Sequence, residues 1–337
     1  MKRLQPTEYM YASARIRALE NRLVGRERME ILIEARTADE VMDRLAEYGY
    51  TPAETEGTIP TGEAVSAARE GMLLAILREA YAEVEGTVPC PDLFRYFRYP
   101  YDCNNIKVAL KCAIRGISPA DLLFDFGTVP ANRVEDYLRE GKYDAFPGAM
   151  AAAIPVAKEA FDKTADPRRI DTVLDRACYE AMLADASAGD PVLLGWLTAK
   201  IDLTNILITL RILRMGGGLA LSEEALLPGG TLEQAFFTEA YAGGESRLWE
   251  ALMPTAYGKL AAVEGDPRSL AAVEKAADDL YMDRVRQDAK IPFGASVAGG
   301  YLVGCEVAVK NIRMILAAKD AGLDTVALRE RIRESYV

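Results

Sequence analysis

Tyr101-Asp102-Cys103-Asn104-Asn105-Ile106-Lys107 returns 100 residues later as Asp202-Leu203-Thr204-Asn205-Ile206, with the Asp-x-x-Asn-Ile pattern intact. The asparagine reappears in Asn311-Ile312-Arg313, which matches Asn105-Ile106-Lys107. Each asparagine has a glycine 11 residues on, at Gly116, Gly216 and Gly322, where a helix begun near the asparagine needs its C-terminal stop. A second marker agrees: Asp166-Pro167-Arg168, followed by Ile170 and Val173, recurs at the same offset as Asp266-Pro267-Arg268, followed by Leu270 and Val273. Two markers at one period predict three copies of a helical unit, residues 1–120, 121–220 and 221–337. Arg15-Ile16-Arg17, with Gly25 ten residues on, reads as a degenerate fourth copy of the asparagine helix. The period is too long for tetratricopeptide or HEAT arrays, so a few similar bundles are expected rather than a solenoid.

Outward from these markers the pattern is helical throughout. Tyr9, Ala12, Ile16, Leu19 and Leu23 step by three and four residues, which gives that segment one buried face. Thr37-Ala38-Asp39-Glu40 reads as a capping box and Thr231-Leu232-Glu233-Gln234 as a compatible cap with an acidic first turn. Ser118-Pro119, Asp166-Pro167, Asp190-Pro191 and Asp266-Pro267 place a side-chain acceptor before a proline, whose missing N–H has no partner in a first helical turn anyway. Neither Asn-Gly nor Asp-Gly occurs, and alternating Val/Ile/Tyr runs are scarce, so the fold class is all-α.

Composition narrows the function. Half of the 337 residues are hydrophobic and 27% are charged, as in a folded soluble protein. The net charge of -11 speaks against a general electrostatic grip on nucleic acid or anionic lipid. The first 28 residues are an exception: Lys2, Arg3, Arg15, Arg17, Arg22, Arg26 and Arg28 stand against Glu8, Glu20 and Glu27, a surplus of four that reads as a solvated or partner-facing helix face. Cys90, Cys103, Cys112, Cys178 and Cys305 are odd in number and widely spaced, which implies a reducing compartment and no disulfide framework. No secretion signal or spanning helix is expected; the charge-free stretch Ala145–Ala157 has 13 residues and is broken by Pro147 and Pro155. Any link to a membrane then runs through another protein.

The chain has no histidine, which removes Ser-His-Asp and Cys-His triads and Cys₂His₂ zinc sites. No C-x-x-C pair is present, and no metal or cofactor is expected. Gly216-Gly217-Gly218, Gly229-Gly230, Gly243-Gly244 and Gly299-Gly300 lack the G-x-x-x-x-G-K-S/T and G-x-G-x-x-G spacings that cradle phosphates, and read as helix stops and loop hinges. No catalytic residue emerges. The candidate positions are polar marks on otherwise apolar helices: Asp102, Asn105, Asp202, Asn205, Glu306 and Asn311. One reading makes the asparagines buried amides that bond a neighbouring helix, and makes Asp102 and Asp202 caps or ion-pair partners of Lys107, Lys111 and Arg211, with Glu306 and Lys310 as an i,i+4 pair. The other makes them a partner-binding mouth.

Tyr9-Met10-Tyr11-Ala12-Ser13-Ala14-Arg15-Ile16-Arg17-Ala18-Leu19-Glu20, the two Asp-x-x-Asn-Ile segments, Gly300-Tyr301-Leu302 and Glu306-Val307-Ala308-Val309-Lys310-Asn311-Ile312-Arg313 together resemble the C subunit of bacterial and archaeal V/A-type ATPases, the counterpart of the d subunit of the eukaryotic proton pump. The resemblance covers essentially the whole chain. It implies three similar bundles in a pseudo-threefold, funnel-like arrangement. It also implies a non-catalytic central-stalk adaptor that links membrane rotor-ring subunits to central shaft subunits, and transmits torque for proton or sodium transport from the cytoplasmic face. Ala308 stands where a third aspartate would align. Two other readings remain to be weighed: a soluble helical scaffold binding a partner, and an enzyme using Asp102 and Asp202 as paired carboxylates in one cleft.

Overall fold

The computed structural model describes residues 4–50, 63–265 and 268–337, and among them every regular element is helical, with one isolated bridge between Gly265 and Arg268. Contacts gather the chain into two compact units, Asp92–Ala262 and Leu4–Pro91 with Val263–Val337.

The second of these units begins with α1 (Met10–Glu20), α2 (Arg26–Glu34), α3 (Ala38–Glu47) and α4 (Glu63–Thr87). Tyr9, Ala12, Ile16, Leu19 and Leu23 are all buried, as their spacing requires. The Thr37 hydroxyl caps α3 by accepting from Glu40 N (3.1 Å). Three of the seven N-terminal basic side chains are engaged inside the unit: Arg15 pairs with Glu83 (2.6 Å), Arg17 with Glu20 (2.8 Å), and Arg28 lies over the Tyr48 ring. Gly25 is not a helix stop like Gly116; it is the extended N-cap of α2, so the fourth-copy reading lacks its glycine signal.

The Asp92–Ala262 unit holds α5 (Tyr99–Arg115), α6 (Ala131–Glu140), α7 (Gly148–Thr164), α8 (Arg168–Ser187), α9 (Pro191–Arg214), α10 (Leu219–Ala225) and α11 (Gln234–Leu252). Helix α7 lies along α8, which also packs on α5 and α9, and Ile106, Met150, Ile154, Leu174 and Ile201 meet in one core. The Asp-Pro device works as expected at two places. Asp166 accepts from Arg168 N (3.0 Å) at the start of α8, and Asp190 from Val192 N (2.8 Å) at the start of α9. Ser118-Pro119 leads only into a single 3₁₀ turn, Ala120–Leu122, and the Asp266-Pro267 pair lies outside the described residues.

The chain returns to the other unit with α12 (Leu270–Asp288), α13 (Ala295–Asp320) and α14 (Thr325–Arg329). Helix α13 is its hub, touching α1, α2, α3, α4 and α12. Gly299-Gly300 is not a stop but sits inside α13, where the absence of side chains admits Tyr336 against Gly300 and Gly304.

Helix α9, with 24 residues, is long and apolar enough to cross a membrane by length and composition alone. Of its most apolar window 56% is buried within the protein, with Trp196, Leu197, Ile201, Ile206 and Leu210 in the core, so the apolarity serves internal packing.

Candidate functional site

The three asparagines stand well inside α5, α9 and α13, and each makes the same pair of bonds. Asn105 Nδ2 donates to Phe124 O (2.8 Å) and Oδ1 accepts from Phe124 N (2.9 Å). Asn205 does so with Leu227 O (2.9 Å) and N (2.8 Å), and Asn311 with Arg333 O (2.9 Å) and N (3.1 Å). An asparagine amide has one acceptor and donors side by side, so it satisfies both backbone groups of one residue at once, as a paired strand would. All three asparagines are at most 2% exposed. Their partner is thus a segment that follows the helix, not the neighbouring helix expected from sequence.

The helix ends repeat as well. Gly116, Gly216 and Gly322 have φ of 68°, 65° and 66°, the left-handed conformation in which glycine carries no Cβ penalty. Beyond each glycine the same bond closes the helix: Ile117 N to Cys112 O (3.1 Å), Gly217 N to Ile212 O (3.0 Å) and Leu323 N to Ala318 O (2.9 Å).

Asp102 and Asp202 add a second tie in the first two copies. Asp102 accepts from Thr128 N (3.0 Å), Thr128 Oγ1 (2.7 Å) and Val129 N (3.0 Å). Asp202 accepts from Thr231 N (3.0 Å), the Thr231 hydroxyl and Leu232 N (3.0 Å), and also from Tyr257 OH (2.7 Å). A Cβ on Gly127 or Gly230 would collide with the Asp102 or Asp202 carboxylate, so glycine is what lets the backbone come this close. Thr231 is therefore no helix cap. Its hydroxyl serves Asp202, and α11 starts later, after Glu233. Burial pushes the Asp102 carboxyl above the usual aspartate value, while the donors from Val129 and Thr128 pull it down.

Neither aspartate caps its own helix or pairs with a lysine: Lys107 reaches Asp175 (2.6 Å) and Lys111 reaches Asp171 (2.5 Å). The third copy has Ala308, buried and without polar atoms, in the aspartate's place. Its trailing segment is held by α12 instead, where Asp279 accepts from Glu334 N (2.7 Å) and Asp278 from the Arg333 guanidinium (2.9 Å). Glu306 is half-buried and accepts from Tyr81 OH (2.7 Å), while Lys310 pairs with Asp278 (2.7 Å) rather than with Glu306.

The sequence reading missed Gly127-Thr128 and Gly230-Thr231. Both dipeptides follow their Asp-x-x-Asn motif, but at an offset of 103 rather than 100, because the connection after α9 is three residues longer. A search at one fixed period passes over them.

Chemically the arrangement is a set of backbone ties. Asp102 and Asp202 are 1% and 0% exposed, and their oxygens are taken by separate sets of donors. A pair of carboxylates working on substrate needs both in one accessible cleft, and these are enclosed. Among the described residues no group of three or more metal-ligating side chains converges.

The family described as "ATP synthase (C/AC39) subunit" matches residues 12–331. The chain is 24% identical over 334 residues to the C subunit of the V-type sodium ATPase of Enterococcus hirae, covering 98% of this chain and 99% of that one. It is 25% identical over 256 residues to the C subunit of the A-type ATP synthase of Haloferax volcanii, covering 72% and 73%. A third relative, the C subunit of the A-type ATP synthase of Thermococcus kodakarensis, is 23% identical over 347 residues, covering 97% and 91%. With a match that runs nearly end to end, the chain belongs to the ATP synthase (C/AC39) subunit family, as a non-catalytic, peripheral subunit of a V/A-type ATPase whose other subunits are its partners.

Proposed function

We propose that this subunit is the central-stalk adaptor of its ATPase, joining the membrane rotor ring to the central shaft and passing torque between them during proton or sodium transport. The observation that carries this reading is the asparagine tie repeated on α5, α9 and α13. A part that passes torque must not yield internally. A helix tied through both backbone groups of a later residue, and closed by a glycine stop, moves with that residue as one body. The same repetition supports three equivalent bundles, residues 1–120, 121–220 and 221–337, although the 103-residue offset of the Gly-Thr pairs means that the copies differ in their connections. The working position is the cytoplasmic face of the membrane, reached through the complex.

Capture of the tagged full chain from membranes tests the reading. Ring and shaft subunits should come along together, and ATP hydrolysis should continue without ion pumping when the chain is left out of a reconstituted complex. A complex that pumps at full rate without it contradicts the role. Superposing the three asparagine helices with their trailing segments tests the equivalence separately.

A further inference from the structure

The first two copies of the tie differ around the loop that each one holds. Phe124 and Leu227 occupy the same place, tied by Asn105 and Asn205, and two residues on the first copy has Phe126 where the second has Gly229. Phe126 is buried edge-on to Tyr101, and the Arg98 guanidinium covers its ring at 5.3 Å. The first copy thus supplies a cation over its own loop. At the 100-residue offset Arg98 corresponds to Thr198, a short side chain whose hydroxyl turns back to Gly195 O (3.0 Å). At that position the second copy has no counterpart to the arginine.

A cavity of about 200 Å³ lies at this second loop, lined by Leu226, Leu227, Gly229, Gly230 and Phe237 among others. Glu223 and Glu233 also line it; both are exposed and neither carboxylate has a partner among the described residues. Counted from the tied residue, their places in the first copy are taken by Ala120 and Pro130. Between the copies the site therefore loses the cation Arg98, exchanges Asp125 for Pro228, and gains carboxylates at two other places, Glu223 and Glu233. Arg176 reaches the lining too, but it is engaged with Glu180 (3.2 Å).

We propose that this cavity receives the side chain of an arginine or lysine from another subunit of the ATPase, standing where Arg98 stands in the first copy. The aliphatic stem lies on Leu227 and Phe237, and the charged head meets Glu223 and Glu233. The partner's identity as an ATPase subunit rests on the function proposed above; the cationic chemistry rests on the cavity.

The experiment uses the full chain and a Glu223→Gln/Glu233→Gln variant, each titrated against the remaining subunits of the complex at low and at high salt. The variant should melt with the wild type, bind roughly tenfold more weakly at low salt, and lose part of the salt dependence. Equal affinity and equal salt dependence overturn the cavity proposal while leaving the adaptor role in place. A wild-type chain that binds no ATPase subunit overturns the adaptor role instead. As a second measurement on the wild-type protein, protection of Glu223 and Glu233 from carbodiimide modification should appear only in the complex; full reactivity there counts against the proposal.

Discussion

The Asp92–Ala262 unit ties its two asparagine helices twice, through Asn and Asp, whereas the other unit ties α13 by Asn311 and leaves Ala308 in the aspartate's place. The amide tie needs only one residue with both backbone groups turned inward, so it fits all three copies. The carboxylate tie needs two successive N–H groups, a hydroxyl and a glycine beside them, and only Gly127-Thr128-Val129 and Gly230-Thr231-Leu232 provide that set among the described residues. Where the set is lacking, carboxylates on another helix, Asp278 and Asp279 of α12, hold the segment. A buried carboxylate is tolerated only where donors already wait for it.

The largest effect should come from Asp202→Ala, which removes the acceptor of Thr231 N, Leu232 N and the Tyr257 hydroxyl together; a loss of about 3–5 kcal/mol is expected. Asp102→Ala strands no tyrosine hydroxyl of this kind and should cost less. Urea denaturation of both variants checks the order, and the reverse order would break the account of why the two ties differ.

Ala308→Asp should not complete the third copy but harm it, by about 2–4 kcal/mol, because Ala308 is buried and the donors of its trailing segment, Glu334 N and the Arg333 guanidinium, are already taken by Asp279 and Asp278. A variant as stable as the wild type would mean that the three sites are interchangeable. Asn311→Ala should cost about 2 kcal/mol by leaving Arg333 N and O without their partner. Asn105→Ala should match it within the usual spread if the amide tie is the shared element, and thermal melts of the pair decide.

A smaller gain is expected at Thr209, which is fully buried on α9 with a hydroxyl that has no hydrogen-bond partner among the described residues. Ala109 and Ile315, four residues past the other two asparagines, are apolar or small. Thr209→Val should raise stability by about 1 kcal/mol, and a drop would show that the hydroxyl is engaged.

The subtlest test uses pH. Burial raises the Asp102 carboxyl, so the folded chain binds that proton at pH values where the unfolded chain does not. Its contribution to stability is then fully present below the ordinary aspartate value and is lost as pH rises through the raised one. The stability deficit of Asp102→Ala should therefore be larger near about pH 4 than near neutrality. A deficit that shrinks toward acid would reverse the sign and place the donors from Thr128 and Val129 above burial.

What the sequence determined by itself was whatever is carried by local spacing. The helical class followed from three- and four-residue periodicity, the starts of α8 and α9 from Asp-Pro pairs, and the stops after α5, α9 and α13 from a glycine 11 residues past each asparagine. The resemblance to the V/A-type ATPase family was legible for the same reason, since its motifs are short runs that lie along single helices, α1, α5, α9 and α13. Partners that lie across a loop were not legible. Nothing local to Asn105 or Asn205 names Phe124 or Leu227, and the three-residue difference in the connections hid Gly127-Thr128 and Gly230-Thr231 from a single period. Thr231 looked like a cap because a hydroxyl before an acidic turn has that local use, until a buried carboxylate from α9 claimed it. Only the tertiary structure could decide such assignments: a hydrogen bond goes to whichever partner the packed chain leaves within reach, and burial raises the cost of leaving any of them unpaired.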